Sequence, residues 1–75
     1  MMPKTVKDLP IGSTGIIHSV IGPNALRHRF MDMGFVKGTP ITVEKVAPLG
    51  DPIQVSLKGY QICLRKKDAQ NILLV

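Results

Sequence analysis

The chain has 75 residues, 44% of them hydrophobic, with ten Lys and Arg against five Asp and Glu for a formal charge of +5. That length predicts one domain spanning 1–75, with a core too small to wall an enzyme cleft, since folding at this size buries only about 60% of the extended chain's surface. The hydrophobic share argues against disorder, and the single Cys63 excludes an intramolecular disulfide framework. No run approaches the ~18 apolar residues needed to cross a bilayer, and Lys4 and Lys7 are followed by no signal-peptide core, so a cytoplasmic protein without membrane insertion is expected.

In chain order, Val6 to Pro10 predicts an extended segment and Ile11-Gly12-Ser13-Thr14-Gly15 a loop. Gly15 to Ile21 is rich in β-branched residues and predicts a strand, with Ile16, His18 and Val20 on one face and Ile17, Ser19 and Ile21 on the other. Gly22-Pro23-Asn24 breaks it, and Asn24 is placed to cap a helix starting at Ala25. Leu26, Phe30 and Met33 recur along one stripe of that helix, and Gly34 ends it in the left-handed conformation. After Lys37-Gly38, Thr39 to Val46 predicts a second strand. Ile41 and Val43 share a face while Val46 falls on the other, which predicts a bulge or sharp bend near Lys45.

Pro48-Leu49-Gly50-Asp51-Pro52 predicts a turn, because proline cannot donate a ladder hydrogen bond. Ile53 to Leu57 alternates cleanly, with Ile53, Val55 and Leu57 inward. Lys58-Gly59 then makes a tight turn into Tyr60 to Leu64, with Tyr60, Ile62 and Leu64 inward and Cys63 outward. Arg65 to Asn71 predicts one or two helical turns, and Ile72 to Val75 a last strand buried on both faces or closing a barrel. The sum is a mainly β chain of about five strands with one short α-helix and a C-terminal helical turn.

A basic charge favours anionic partners, but here it is dispersed except at Arg27/Arg29 and Arg65-Lys66-Lys67. With aromatic residues limited to Phe30, Phe35 and Tyr60, there is no stacking platform for single strands, and a nucleic-acid-binding barrel is disfavoured. No Gly-x-x-x-x-Gly-Lys loop, Ser/His/acid arrangement or paired carboxylates point to catalysis, so the chain reads as a binding module, not an enzyme.

Taken together, the short helix with Leu26 and Phe30, Met33-Gly34-Phe35-Val36-Lys37-Gly38, Ala47-Pro48-Leu49-Gly50-Asp51-Pro52, Gly59-Tyr60-Gln61-Ile62-Cys63-Leu64-Arg65 and the terminal Ile72–Val75 strand resemble the ferrous iron transport protein A (FeoA) family over essentially the whole chain. The resemblance implies an SH3-like β-barrel and a stand-alone cytosolic partner of a large membrane ferrous iron transporter with a GTPase domain. It also implies a relationship to domains at the C-terminus of metal-dependent repressors, which keeps a metal-sensing module as an alternative.

The residues themselves offer two kinds of candidate. Met31, Met33 and His18 are conceivable soft or borderline ligands, and the weak metal candidates are His28, Asp32 and Cys63. His28 and Asp32 lie four apart on one helix face, a spacing that permits a metal but is first that of an ordinary exposed ion pair, and two ligands close no site. No cofactor is expected to be required, with at most weak transition-metal binding. The candidate partner-binding set is Arg27, Met31, Phe35, Lys37, Leu49 and Asp51. Leu49 at the tip of a Pro-rich turn either folds back on the core or anchors a partner. An unpaired strand edge leaves a homo-oligomer open.

Overall fold

The structure is a computed structural model and describes residues 4–75. Its elements are a 3-10 turn at Val6–Asp8, β1 (Thr14–Val20), α1 (Asn24–Asp32), β2 (Pro40–Val46), β3 (Ile53–Leu57), β4 (Tyr60–Leu64), α2 (Lys66–Ala69) and β5 (Ile72–Leu74). The strands form one antiparallel sheet in the order β4-β3-β2-β1-β5. Overall extents of 30 × 26 × 24 Å show that the sheet is rolled around its core and not laid flat. The expected mainly β architecture with one short helix and a C-terminal helical turn is what the chain adopts.

The regular half of the sheet follows the sequence pattern. Ile53, Val55 and Leu57 alternate inward on β3, and β4 pairs with it residue for residue from Ile53 opposite Leu64 to Leu57 opposite Tyr60. The turn between them places Lys58 at φ 50° and Gly59 at φ 86°, two consecutive positive values that match the right-handed twist of a two-residue hairpin. On β2 the pairing steps from Val43 opposite Val55 to Lys45 opposite Gln54, so Glu44 is the extra residue of a bulge. This is the bend that Val46 announces. Glu44 is put to use there, accepting the Ser56 hydroxyl at 2.6 Å.

Several local expectations are corrected. Val6 to Pro10 is not extended: Thr5 and Asp8 close a 3-10 turn, with the Thr5 backbone N–H and hydroxyl donating to Asp8 Oδ2 at 3.2 and 3.1 Å, and Val6 becomes fully buried. β1 carries a second bulge. Ile17 faces Leu74 and Ser19 faces Leu73, leaving His18 as the extra residue, so Ile17 and Val20 both point inward despite their odd spacing. Helix α1 begins one residue early. Pro23 occupies the cap position and its carbonyl accepts the Arg27 N–H at 3.0 Å, while Asn24 Oδ1 receives Arg27 Nη1 at 3.5 Å and caps nothing. Tyr60 lies outward, 46% exposed, because its hydroxyl donates to the Met33 carbonyl at the end of α1 (2.6 Å) and cannot enter the core without losing that partner.

The core joins the sheet to the helix. Phe30 of α1 and Phe35 after it are both 1% exposed, and their rings meet at 5.2 Å and 54°. They pack with Ile17, Ile41, Val43, Val55, Ile72 and Leu74, and Leu26 and Met33 lie against the margin. Gly34 makes the Phe30–Phe35 contact possible: at φ +100° it reverses the chain, and a Cβ there would lie 3.0 Å from the Tyr60 hydroxyl. The far edge of the sheet is covered by the N-terminal segment, where the Lys4 carbonyl accepts the Leu74 N–H and Thr5 bridges to Leu73.

Candidate functional site

The candidate residues fall in two places. The first is a cleft of about 200 Å³ bounded by α1, β1 and the loop after the helix, lined by His18, Ser19, Val20, Arg27, Met31, Phe35, Val36 and Lys37. Its geometry derives from the backbone. The loop is stitched to β1 by Gly38 N–H to the Ile17 carbonyl (2.8 Å) and Ile17 N–H to the Thr39 carbonyl (3.0 Å), which sets Lys37 across from the bulged His18. Arg27 and Met31, four apart, share the helix face that turns toward the cleft. The arrangement has an apolar floor, a half-exposed methionine wall and two exposed cations, Arg27 and Lys37. Its volume lies below the ~300 Å³ at which small-molecule sites begin.

The second place is the loop at 47–52. Ala47 N–H bonds to the Pro52 carbonyl (3.1 Å) and Gly50 N–H to the Ala47 carbonyl (2.7 Å), so the loop's own backbone bonds hold its shape. Leu49 at its tip is 94% exposed and does not fold back on the core. Asp51 is exposed and tied to the fold, its Oδ1 accepting the Lys66 N–H at the start of α2 (2.9 Å). Cys63 is exposed on β4 and faces Pro52 and Asp51 across a shallow groove.

Of the six expected contact residues, Arg27, Met31, Phe35 and Lys37 meet at the cleft and Leu49 and Asp51 at the loop. Phe35, expected among the contact residues, is buried: its ring is committed to Phe30 and it reaches the cleft only as floor. Val36 and Ser19 are cleft walls that the sequence pattern does not single out. His18, a conceivable borderline ligand by its type, is exposed, with Nδ1 3.1 Å from the Ser19 hydroxyl. Its placement follows from the β1 bulge, which appears only once β1 is paired with β5.

The metal candidates do not converge. His28 and Asp32 sit exposed on α1 and Cys63 on β4, and among the described residues no group of three His, Cys, Asp or Glu side chains could hold an ion. The donor set does not fit a closed transition-metal site. No helix among the described residues is long and apolar enough to cross a membrane.

A rolled five-stranded antiparallel sheet with a filled core, on which every candidate except the buried Phe35 is at the surface, defines the class: a small, mainly β domain with an SH3-like fold. The chain belongs to the FeoA family, whose FeoA domain matches residues 4–75. It is 39% identical over 67 residues to the Fe(2+) transport protein A/Fe(2+) transporter FeoB fusion protein of Porphyromonas gingivalis, a match that takes in 89% of this chain and 8% of that relative. The chain thus corresponds to a small part of that fused protein. Among solved structures, the FeoA-like protein of Clostridium acetobutylicum superposes with a TM-score of 0.89 at 36% identity, covering 100% of this chain and 87% of that one. The zinc complex of Stenotrophomonas maltophilia FeoA, described as an SH3 domain protein, superposes with a TM-score of 0.85 at 26% identity, covering 96% and 89%.

Proposed function

We propose that the chain is a cytosolic accessory module of ferrous iron transport that binds the GTPase part of a membrane iron transporter and assembles or regulates it, without catalysis of its own. The observation that carries this reading is the relative in which an Fe(2+) transport protein A segment and an Fe(2+) transporter are one polypeptide. Covalent fusion raises the effective concentration of two parts that must otherwise find each other, so it is the arrangement expected of partners.

Within this reading, Leu49 is the apolar anchor and the Arg27, Met31 and Lys37 cleft is the second contact. An almost fully exposed leucine on a loop held by its own hydrogen bonds loses little entropy on docking, which suits it to a hot spot. The test is ferrous iron uptake in cells that depend on this chain and its transporter, together with capture of the transporter's nucleotide-binding domain. Leu49→Asp is expected to abolish both while the isolated protein stays folded. Normal uptake and capture by a folded Leu49→Asp variant would remove the loop from the interface, and failure of the wild-type chain to capture the domain would remove the reading.

A further inference from the structure

Helix α1 presents a second face that the transport reading does not use. Pro23, Leu26 and Arg29, spaced three apart, turn away from Arg27 and Met31 and look toward α2. Between the two helices runs an open groove of about 760 Å³, lined by Pro23, Leu26, Arg29, Arg65, Lys67, Asp68 and Asn71. Chain length alone leads to the expectation that no cleft of this size can form. The groove exists because it lies outside the barrel, between elements and not within the core.

Three cations and one carboxylate line it, over a floor formed by a half-buried leucine and a proline. Among the described residues, the side chains of Arg29, Arg65 and Lys67 take part in no side-chain hydrogen bond, whereas Arg27 on the opposite face is engaged by Asn24. Unengaged guanidinium groups beside an apolar floor are the complement of carboxylates flanking an apolar side chain. The lining contains no aromatic ring, so it lacks the stacking surface that nucleic-acid bases require. Its concavity suits a protruding segment better than a flat lipid surface.

We infer that the groove between α1 and α2 is a docking site for an acidic peptide segment that carries an apolar residue, with Arg29, Arg65 and Lys67 binding the carboxylates and Leu26 and Pro23 receiving the apolar side chain. The inference does not depend on the transport reading, because it concerns direct binding by this chain.

The test is a titration of the isotope-labelled chain with an acetylated Glu-Glu-Leu-Asp-Glu-Glu-Leu peptide, monitored by backbone amide shifts. Expected are shifts concentrated at Leu26, Arg29, Arg65, Lys67 and Asn71, and affinity about tenfold weaker in Arg29→Glu and in Lys67→Glu, as loss of one charge-assisted contact gives. Lys67→Glu alters only an exposed side chain, and an unchanged melting point for the variant separates its loss of binding from unfolding. Lys45→Glu, which removes the same charge elsewhere, is expected to bind as the parent does. The inference is overturned by shifts spread over all surface cations, by equal weakening in Lys45→Glu, by no saturable binding, or by tighter binding of an oligothymidylate or of phosphatidylglycerol vesicles than of the peptide.

Discussion

Phe35 and Leu49 are both large apolar residues beside glycine-containing turns, and they end in opposite environments, 1% and 94% exposed. The difference lies in the bonding of each turn. Gly34 reverses the chain directly against α1, so the next side chain is delivered onto Phe30 within the rolled sheet. The 47–52 loop closes on itself through Ala47, Gly50 and Pro52, and its tip is carried away from the core. A turn whose backbone bonds run straight back to the preceding helix delivers the next side chain into the core, and a turn whose backbone bonds close within the loop, anchored to α2 only through the Asp51 side chain, displays the residue at its tip. One residue therefore belongs to stability and the other to recognition.

The sharpest way to break this division is Phe35→Ala. It removes a ring from the core and is expected to cost about 3–5 kcal/mol, a large share of the stability a small domain possesses. Thermal melting monitored by circular dichroism should show a chain largely unfolded at 37 °C, and a melting point within a few degrees of the parent would return Phe35 to the surface.

Asp51 sharpens the comparison from within the displayed loop, because this near neighbour of Leu49 is held by the fold. Asp51→Ala leaves the Lys66 N–H without its acceptor and is expected to cost about 1 kcal/mol, as lost caps do. Faster hydrogen exchange at Lys66 in the variant is the direct readout.

At the N-terminal segment, the Thr5 backbone N–H and then its hydroxyl, with Lys7 and Lys4 adding attraction, hold the Asp8 carboxyl below its ordinary value of about 3.8. A lowered folded value means that the contact contributes fully above the ordinary carboxylate range and is lost as pH falls through the depressed one. A small titration of the Leu74 amide resonance, whose N–H bonds to the Lys4 carbonyl, is expected in that acid range and should vanish in Asp8→Asn.

Leu49→Asp carries the smallest stability effect, within about 0.5 kcal/mol, since the side chain touches little. Equal denaturant midpoints for variant and parent are expected, and a large drop would show that the loop tip packs on the fold after all.

Legibility in the sequence obeys the same physics. The β3–β4 hairpin is readable because alternation and a Lys-Gly turn are local signals, and the β2 bulge because Val46 breaks a pattern that Ile41 and Val43 establish. The β1 bulge carries the same kind of signal and is hidden, since apolar residues at Ile16, Ile17, Val20 and Ile21 fit either face equally well. Thr5 and Asp8 carry a turn signature three residues apart that an extended reading passes over. Phe35 cannot be placed from its neighbours, because its burial depends on Phe30 coming back within 5.2 Å in the fold. The groove between α1 and α2 is legible only as two separate basic runs. Their meeting is a property of the tertiary structure.

The N-terminal segment that covers β5 also sets a limit on self-association. With Thr5 and Lys4 bonded along that strand, one border of the sheet is already paired, and among the described residues no strand lies beside β4 at the other. A fibre assembled strand to strand needs two available borders on every copy. Among the described residues β5 is occupied along Lys4 and Thr5, so a second copy pairing at that border would have to displace them.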